Sequence, residues 1–202
     1  MFEVYEFDLA RDCLRYLVKR FGIKEMYIPY YLCDTVRHTL VEVGCKPLFY
    51  HIDDDFFPKF PVSPLPAGEG AGVRGQRRRQ EYKPFILYPN YFGICGENVK
   101  KLARNYSKLI VDNAHAYYDE PMGFACFNAG HKFGFEKSRL WIKTASAQNE
   151  IQKEIVPKSR RETFLALHQK YSDRNLLNID TKVITAPFVY PCLLSTIEEA
   201  DI

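Results

Sequence analysis

The sequence predicts an α/β protein built on a three-layer, mostly parallel sheet. Two observations carry that prediction. Short apolar runs rich in β-formers alternate with segments of helical period, the order expected of right-handed βαβ units. Several of the runs also end in aromatic or polar residues, among them Tyr30 and Tyr31, Asn90 and Tyr91, and Asp112. Ligands collect beyond the carboxyl ends of parallel strands.

The elements follow in order. In "FDLARDCLRYLVKRFG", Leu14, Leu17, Val18 and Phe21 recur at helical spacing and Gly22 supplies a stop. "KEMYIPYYL" reads as a buried strand, "CDTVRHTLVEVG" as a helix ended by Gly44, and "KPLFYHI" as the next strand. A break comes at residues 61–80, where four glycines and three prolines leave almost no bulky apolar side chains. Such a stretch cannot bury enough surface to offset its ordering entropy, so it is read as a flexible insertion. Strand "PFILYPNYF", helix "GENVKKLARNYS" and strand "KLIVDNA" then resume the alternation. After "RLWIKT" the pattern changes. A polar linker leads to a helix at "SRRETFLALHQKY", then to an expected strand in "DTKVITAPFVYP" that ends at Pro187 or Pro191. "STIEEADI" carries a helix-start signature, Ser195 with Glu198 three residues on. This organisation divides the chain into a large domain at 1–144 and, at 145–202, a linker with the start of a smaller domain.

Composition narrows the function classes. The chain has 202 residues, with 47% hydrophobic and 26% charged side chains and a net charge of +3. That charge resides in the 61–80 run, where Arg74, Arg77, Arg78 and Arg79 face Glu69 alone. The rest is neutral, which gives no basis for nucleic acid binding. The six cysteines form no C-x-x-C pair and no metal-like spacing, and several lie in apolar runs. Reduced thiols in a cytoplasmic protein fit that usage. No apolar run approaches a membrane span, and "MFEVYEFDLARD" has no signal-peptide core. No G-x-G-x-x-G or Walker pattern occurs.

The chemistry centres on "KLIVDNAHAYYDEP". A buried strand ends in Asp112, and a buried carboxylate is costly unless a cation meets it. About twenty residues on, "FACFNAGHKFG" places Lys132 just past an apolar segment. A strand-end aspartate with a following lysine is the pair that pyridoxal 5′-phosphate needs. The lysine forms an imine with the aldehyde, and the carboxylate keeps the pyridine nitrogen protonated. A plain surface lysine is the competing reading of Lys132.

Other stretches agree, and with them the chain resembles the DegT-type sugar aminotransferases, a branch of the fold type I pyridoxal-phosphate enzymes. "MYIPYYLCDTVRHTLVEVGCKPLFYHID" resembles the family's strand, proline, aromatic and G-x-x-P-x-F segment. "YPNYFGICGENVKKLARNYSKLIVDNAHA" resembles its run ending in I-x-D-x-A-H-A, "FNAGHKF" its lysine segment, and "DRNLLNI" with "APFVYP" the start of its small domain. The resemblance implies a fold type I large domain that binds pyridoxal phosphate, a small-molecule amino donor, a keto sugar acceptor and a homodimer. It implies that Asp112 meets the ring nitrogen and that His115 lies near the phenolic oxygen. Lys132 would hold the aldehyde, and Asn128 would touch the phosphate or the lysine. The helix start at Ala10 and Arg11 would face the phosphate, as free N–H groups and the helix dipole favour an anion. Relatives carry a small S-G-T turn where this chain reads Leu9-Ala10-Arg11. Relatives with histidine at the lysine position are dehydratases. His131 stands beside Lys132, so a dehydratase, or a family member without catalysis, remains the alternative.

Overall fold

A computed structural model describes residues 1–61, 84–144 and 158–194. Eight strands form one sheet in the order β1-β8-β7-β6-β5-β2-β3-β4. They are β1 (Phe2–Phe7), β2 (Glu25–Pro29), β3 (Lys46–Ile52), β4 (Pro58–Lys59), β5 (Phe85–Pro89), β6 (Leu109–Asn113), β7 (Ala125–Asn128) and β8 (Ser138–Lys143). The neighbours β7, β6, β5, β2 and β3 run parallel. Strand β8 is antiparallel to both β7 and β1, and β4 is antiparallel to β3.

Helices cover both faces. Helix α1 (Ala10–Phe21) buries Cys13, Leu14, Leu17 and Val18, and its C-terminal Gly22 takes a left-handed φ of 58° that a side chain would strain. It packs on β1, β7, β8 and α2 (Asp34–Glu42). The core on this face includes Ile28, Ile110, Ala125 and Phe127. Helix α3 (Gly96–Asn105) buries Val99 and Leu102 on the opposite face, with Val111, Cys126 and Trp141. Period-two alternation along β6 and β7 therefore sends Ile110, Asp112 and Phe127 toward α1 and α2. Asn113 and Asn128 fall on the α3 face.

Helix α4 (Lys158–Tyr171) forms where a helix is expected. It packs through Phe164 on Ile179 and Ile184, and that cluster touches Ile94. The expected strand over residues 180–191 is absent. The segment contains a 3-10 turn at Thr181–Val183 followed by irregular chain. Pro187 and Pro191 have no N–H for a ladder. Asn175 takes up other backbone groups here, its Nδ2 donating to the Pro191 carbonyl at 2.9 Å and its Oδ1 accepting from the Leu193 N–H at 2.9 Å. The insertion expected at 61–80 and the helix start at Ser195 lie outside the described residues, apart from Pro61. All six cysteines are free thiols, and Cys13, Cys45, Cys95 and Cys126 are buried. Among the described residues no helix is long and apolar enough to cross a membrane, and no group of three His, Cys, Asp or Glu is placed to hold a metal.

Candidate active site

Strand order reverses between β2 and β5. The chain goes outward from β2 to β3, then returns across the sheet to run β5, β6, β7 the other way. The β2–β5 ladder pairs Met26 with Phe85 and Tyr27 with Ile86, and goes no further toward the carboxyl ends. A crevice at such a reversal is where open α/β sheets bind ligands. A cavity of about 600 Å3 lies there. Its walls come from the ends of β2, β5, β6 and β7 and from the starts of α1 and α2.

Asp112, at the end of β6, is buried, and its Oδ1 accepts a 2.8 Å hydrogen bond from the Ala114 N–H. Burial raises its carboxyl from 3.8 to about 6; the Ala114 N–H and the charge of Lys132 offset only part of that rise. The carboxylate is therefore undercompensated within the chain. His115, three residues on, is pushed down to about 4 by burial and by the nearby Lys132 charge, which keeps its imidazole neutral. The ring stacks on Phe92 at 6.0 Å and on Phe188 at 5.6 Å.

Lys132 is carried by a 3-10 turn at Gly130–Phe133 that leaves the end of β7. Ser138 Oγ accepts from the Gly130 N–H at 3.3 Å, and Gly134 closes the turn with a φ of 86°. A Cβ on Gly130 would sit 1.9 Å from the Lys137 carbonyl oxygen, so the turn has room only for glycine. Lys132 and His131 both line the cavity.

Ala10 and Arg11 also line it. Leu9, the residue that caps α1, makes no side-chain cap, so the first N–H groups of the helix lack a side-chain partner. The start of α2 adds a second uncapped N-terminus, through Cys33, Thr35 and Val36. Sequence reading had not placed α2 at the site. Its signal is the strand end "IPYYL" running directly into "CDT", which must deliver a helix start to the carboxyl edge.

The structure thus brings Asp112, His115, Lys132, Ala10 and Arg11 to one cavity. Asn128, expected to touch the phosphate or the lysine, does not line it. It is fully buried on the α3 face, and its Oδ1 accepts from the Arg139 N–H at 2.8 Å. That bond ties the end of β7 to the start of β8. Tyr31 and Tyr91, at strand ends beyond which ligands are expected to collect, line the cavity as well. Tyr91 donates its hydroxyl to the Tyr31 carbonyl at 2.9 Å, and the two rings stack at 5.7 Å.

No protein-family profile and no curated protein matches the chain. Solved structures do. DesV of S. venezuelae, in complex with a ketimine intermediate, has a TM-score of 0.63 at 11% identity, covering 97% of this chain and 65% of that one. NtdA of Bacillus subtilis, with bound cofactor PMP, has a TM-score of 0.61 at 14% identity, covering 98% and 56%. A DegT/DnrJ/EryC1/StrS aminotransferase from Brucella abortus has 0.56 at 13% identity, covering 85% and 59%. The class is therefore an α/β protein with a mixed, mostly parallel sheet. Within that class, the fold is the one seen in these three structures, one of them a DegT/DnrJ/EryC1/StrS aminotransferase. The chain spans between 56% and 65% of the length of these three.

Proposed function

We propose that the chain is the cofactor-binding part of a pyridoxal-phosphate-dependent, aminotransferase-like enzyme. Its substrate would be a keto sugar nucleotide or a similar carbonyl compound. Residues 1–144 would hold the cofactor, and 145–202 would form the linker and the start of a smaller domain. A cytoplasmic homodimer taking a small-molecule amino donor completes the reading. The observation that supports it best is the pairing inside one cavity of a buried, undercompensated carboxylate, Asp112, with the amine of Lys132.

The residues present fit the group. Asp112 lacks a full cationic partner, and a protonated pyridine nitrogen is such a partner. The uncapped start of α1, with Arg11, suits a phosphate. When bound, pyridoxal phosphate supplies an electron sink and an aldehyde that accepts an amino group. Lys132 would hold that aldehyde covalently and, once displaced by a donor amine, move a proton as general base and acid. Asp112 would hold the ring proton in place. His115, neutral at working pH, would offer an uncharged hydrogen bond beside the ring.

His131 lines the same cavity, and this favours one second reading, a dehydratase-type relative in which the histidine takes the base's role. One experiment tests the main reading. The protein is mixed with pyridoxal phosphate, the visible spectrum is recorded, and borohydride is added before peptide mapping. The expected result is a yellow band and a pyridoxyl mass on the Lys132 peptide, both lost in Lys132→Ala. A colourless mixture, or label elsewhere, overturns it.

A further inference from the structure

Through Phe188, the irregular segment after α4 meets two residues that line the cavity, His115 and Lys132. The Phe188 backbone N–H donates to the His115 carbonyl at 3.1 Å. Its ring stacks on the His115 imidazole with centroids 5.6 Å apart and planes 20° apart. The same ring centroid lies 5.5 Å from Lys132 Nζ and 5.7 Å from the ring of Phe133. One phenyl ring therefore touches both residues on which the chemistry depends.

Its surroundings hold that ring in place. Gly93, at a φ of 77°, has no space for a side chain: a Cβ there would come within 2.7 Å of the His115 carbonyl oxygen and 3.1 Å of Pro187. Three residues before Phe188, Thr185 hydrogen-bonds the side chain of Asp119, which also accepts from Asn90 Nδ2 at 2.9 Å. The turn after β5, the loop after β6 and the 185–188 segment are thus interlocked. Yet Phe188 itself remains 37% exposed. A ring left so open contributes little as core filling, since the hydrophobic gain scales with area removed from water. Its specific contacts are a stacked imidazole and a cation over the ring, and both need an aromatic face.

We propose that Phe188 is a positioning residue of this site, fixing the plane of the His115 imidazole and the reach of the Lys132 amine. What the two are positioned for rests on the functional reading above; that Phe188 holds them does not. Phe188→Leu keeps an apolar side chain and removes the ring, whereas Phe188→Tyr keeps the ring. If leucine lowers the melting temperature, Phe188→Met replaces it.

Two readouts test the proposal on the whole chain. The first is the proton NMR resonance of the His115 imidazole, assigned by its loss in His115→Asn. The Phe188 ring current should shift it in the wild type, Phe188→Leu should return it toward a free imidazole, and Phe188→Tyr should leave it in place. The second is a titration with pyridoxal phosphate, in which Phe188→Leu should bind roughly 3- to 10-fold more weakly, the loss expected for one aromatic contact. Phe188→Tyr should stay close to wild type. The proposal is overturned if leucine binds pyridoxal phosphate as tightly as the wild type, if it leaves the His115 resonance unmoved, or if tyrosine and leucine perturb either readout equally. Should the wild type take up no pyridoxal phosphate, the functional reading fails, and the resonance alone decides the role of Phe188.

Discussion

Asp112 binds its proton more tightly in the folded chain than in the unfolded one. Its carboxyl stands at about 6 against an ordinary 3.8, because burial outweighs the help from the Ala114 N–H and Lys132. At about 1.36 kcal/mol for each tenfold in proton affinity, that rise is worth ~3 kcal/mol. The sign follows from which state holds the proton. Below pH 3.8 the carboxyl is protonated in both states and costs nothing. Between 3.8 and about 6 the folded chain keeps a proton that the unfolded chain gives up, so stability falls as pH rises. Above that window the full ~3 kcal/mol penalty is present. Asp112→Asn removes the charge and keeps an acceptor for Ala114. Without cofactor, the variant should match the wild type at low pH and exceed it by up to ~3 kcal/mol above neutrality. Urea denaturation of both proteins across a pH series measures this. Asp119, also raised to about 6 by burial, titrates in both and cancels in the difference. A difference that stays flat with pH, or an Asn variant less stable than wild type above neutrality, would refute the argument. Pyridoxal phosphate should flatten the wild-type slope by bringing a cation to the carboxylate, and should leave Asp112→Asn nearly unchanged.

Three further outcomes follow from packing. Gly130→Ala would set a methyl 1.9 Å from the Lys137 carbonyl oxygen, so the turn that carries Lys132 must shift. Thermal denaturation should show a loss of about 1–3 kcal/mol, and borohydride labelling of Lys132 should fall. Leu17→Ala opens a cavity under α1 at a fully buried position, costing about 2–5 kcal/mol while the labelled site stays the same. Asn90→Ala strips a hydrogen bond from the half-buried Asp119 and another from the buried Cys95 N–H. A loss of about 1–3 kcal/mol for each unpaired group is expected. The fall in stability with rising pH should also continue to higher pH, since Asn90 helps hold the Asp119 carboxyl down.

The parts of the fold that the sequence reveals are those whose signal is local. The helical spacing of Leu14, Leu17 and Val18 and the left-handed stops at Gly22 and Gly44 are both realised. Strands β1 and β8 escaped notice because they pair only with each other and with β7, at one end of the sheet. "FEVYEF" is half acidic or hydroxylated, and only its antiparallel partner makes it a strand. The opposite error, a strand expected over 180–191, came from reading apolar residues without asking where an N–H could bond. Ile184 and Ala186 are buried, and Ile184 packs against Phe164 of α4 and Ile179 rather than in a sheet. At the site, Asp112 and Lys132 were legible because a carboxylate at a strand end demands a partner. Phe188 was not, since nothing in "APFVYP" says that its ring will meet a histidine more than seventy residues earlier in the chain.

The cavity has an electrical direction that limits what can occupy it. The starts of α1 and α2 both face it without side-chain caps, and each concentrates positive potential where its free N–H groups lie. Asp112 supplies negative charge at the end of β6, with the amine of Lys132 in the same cavity. A neutral apolar ligand would leave the helix starts and the carboxylate equally unanswered. A simple anion would satisfy the helices and worsen the position of Asp112, already costly at neutral pH. Only a molecule carrying an anionic group at one end and a cationic group at the other relieves both. The stacked aromatic walls add that its middle should be flat. The burial of Asp112 thus destabilises the chain taken by itself and, by the same physics, selects the charge pattern of what the cavity can bind.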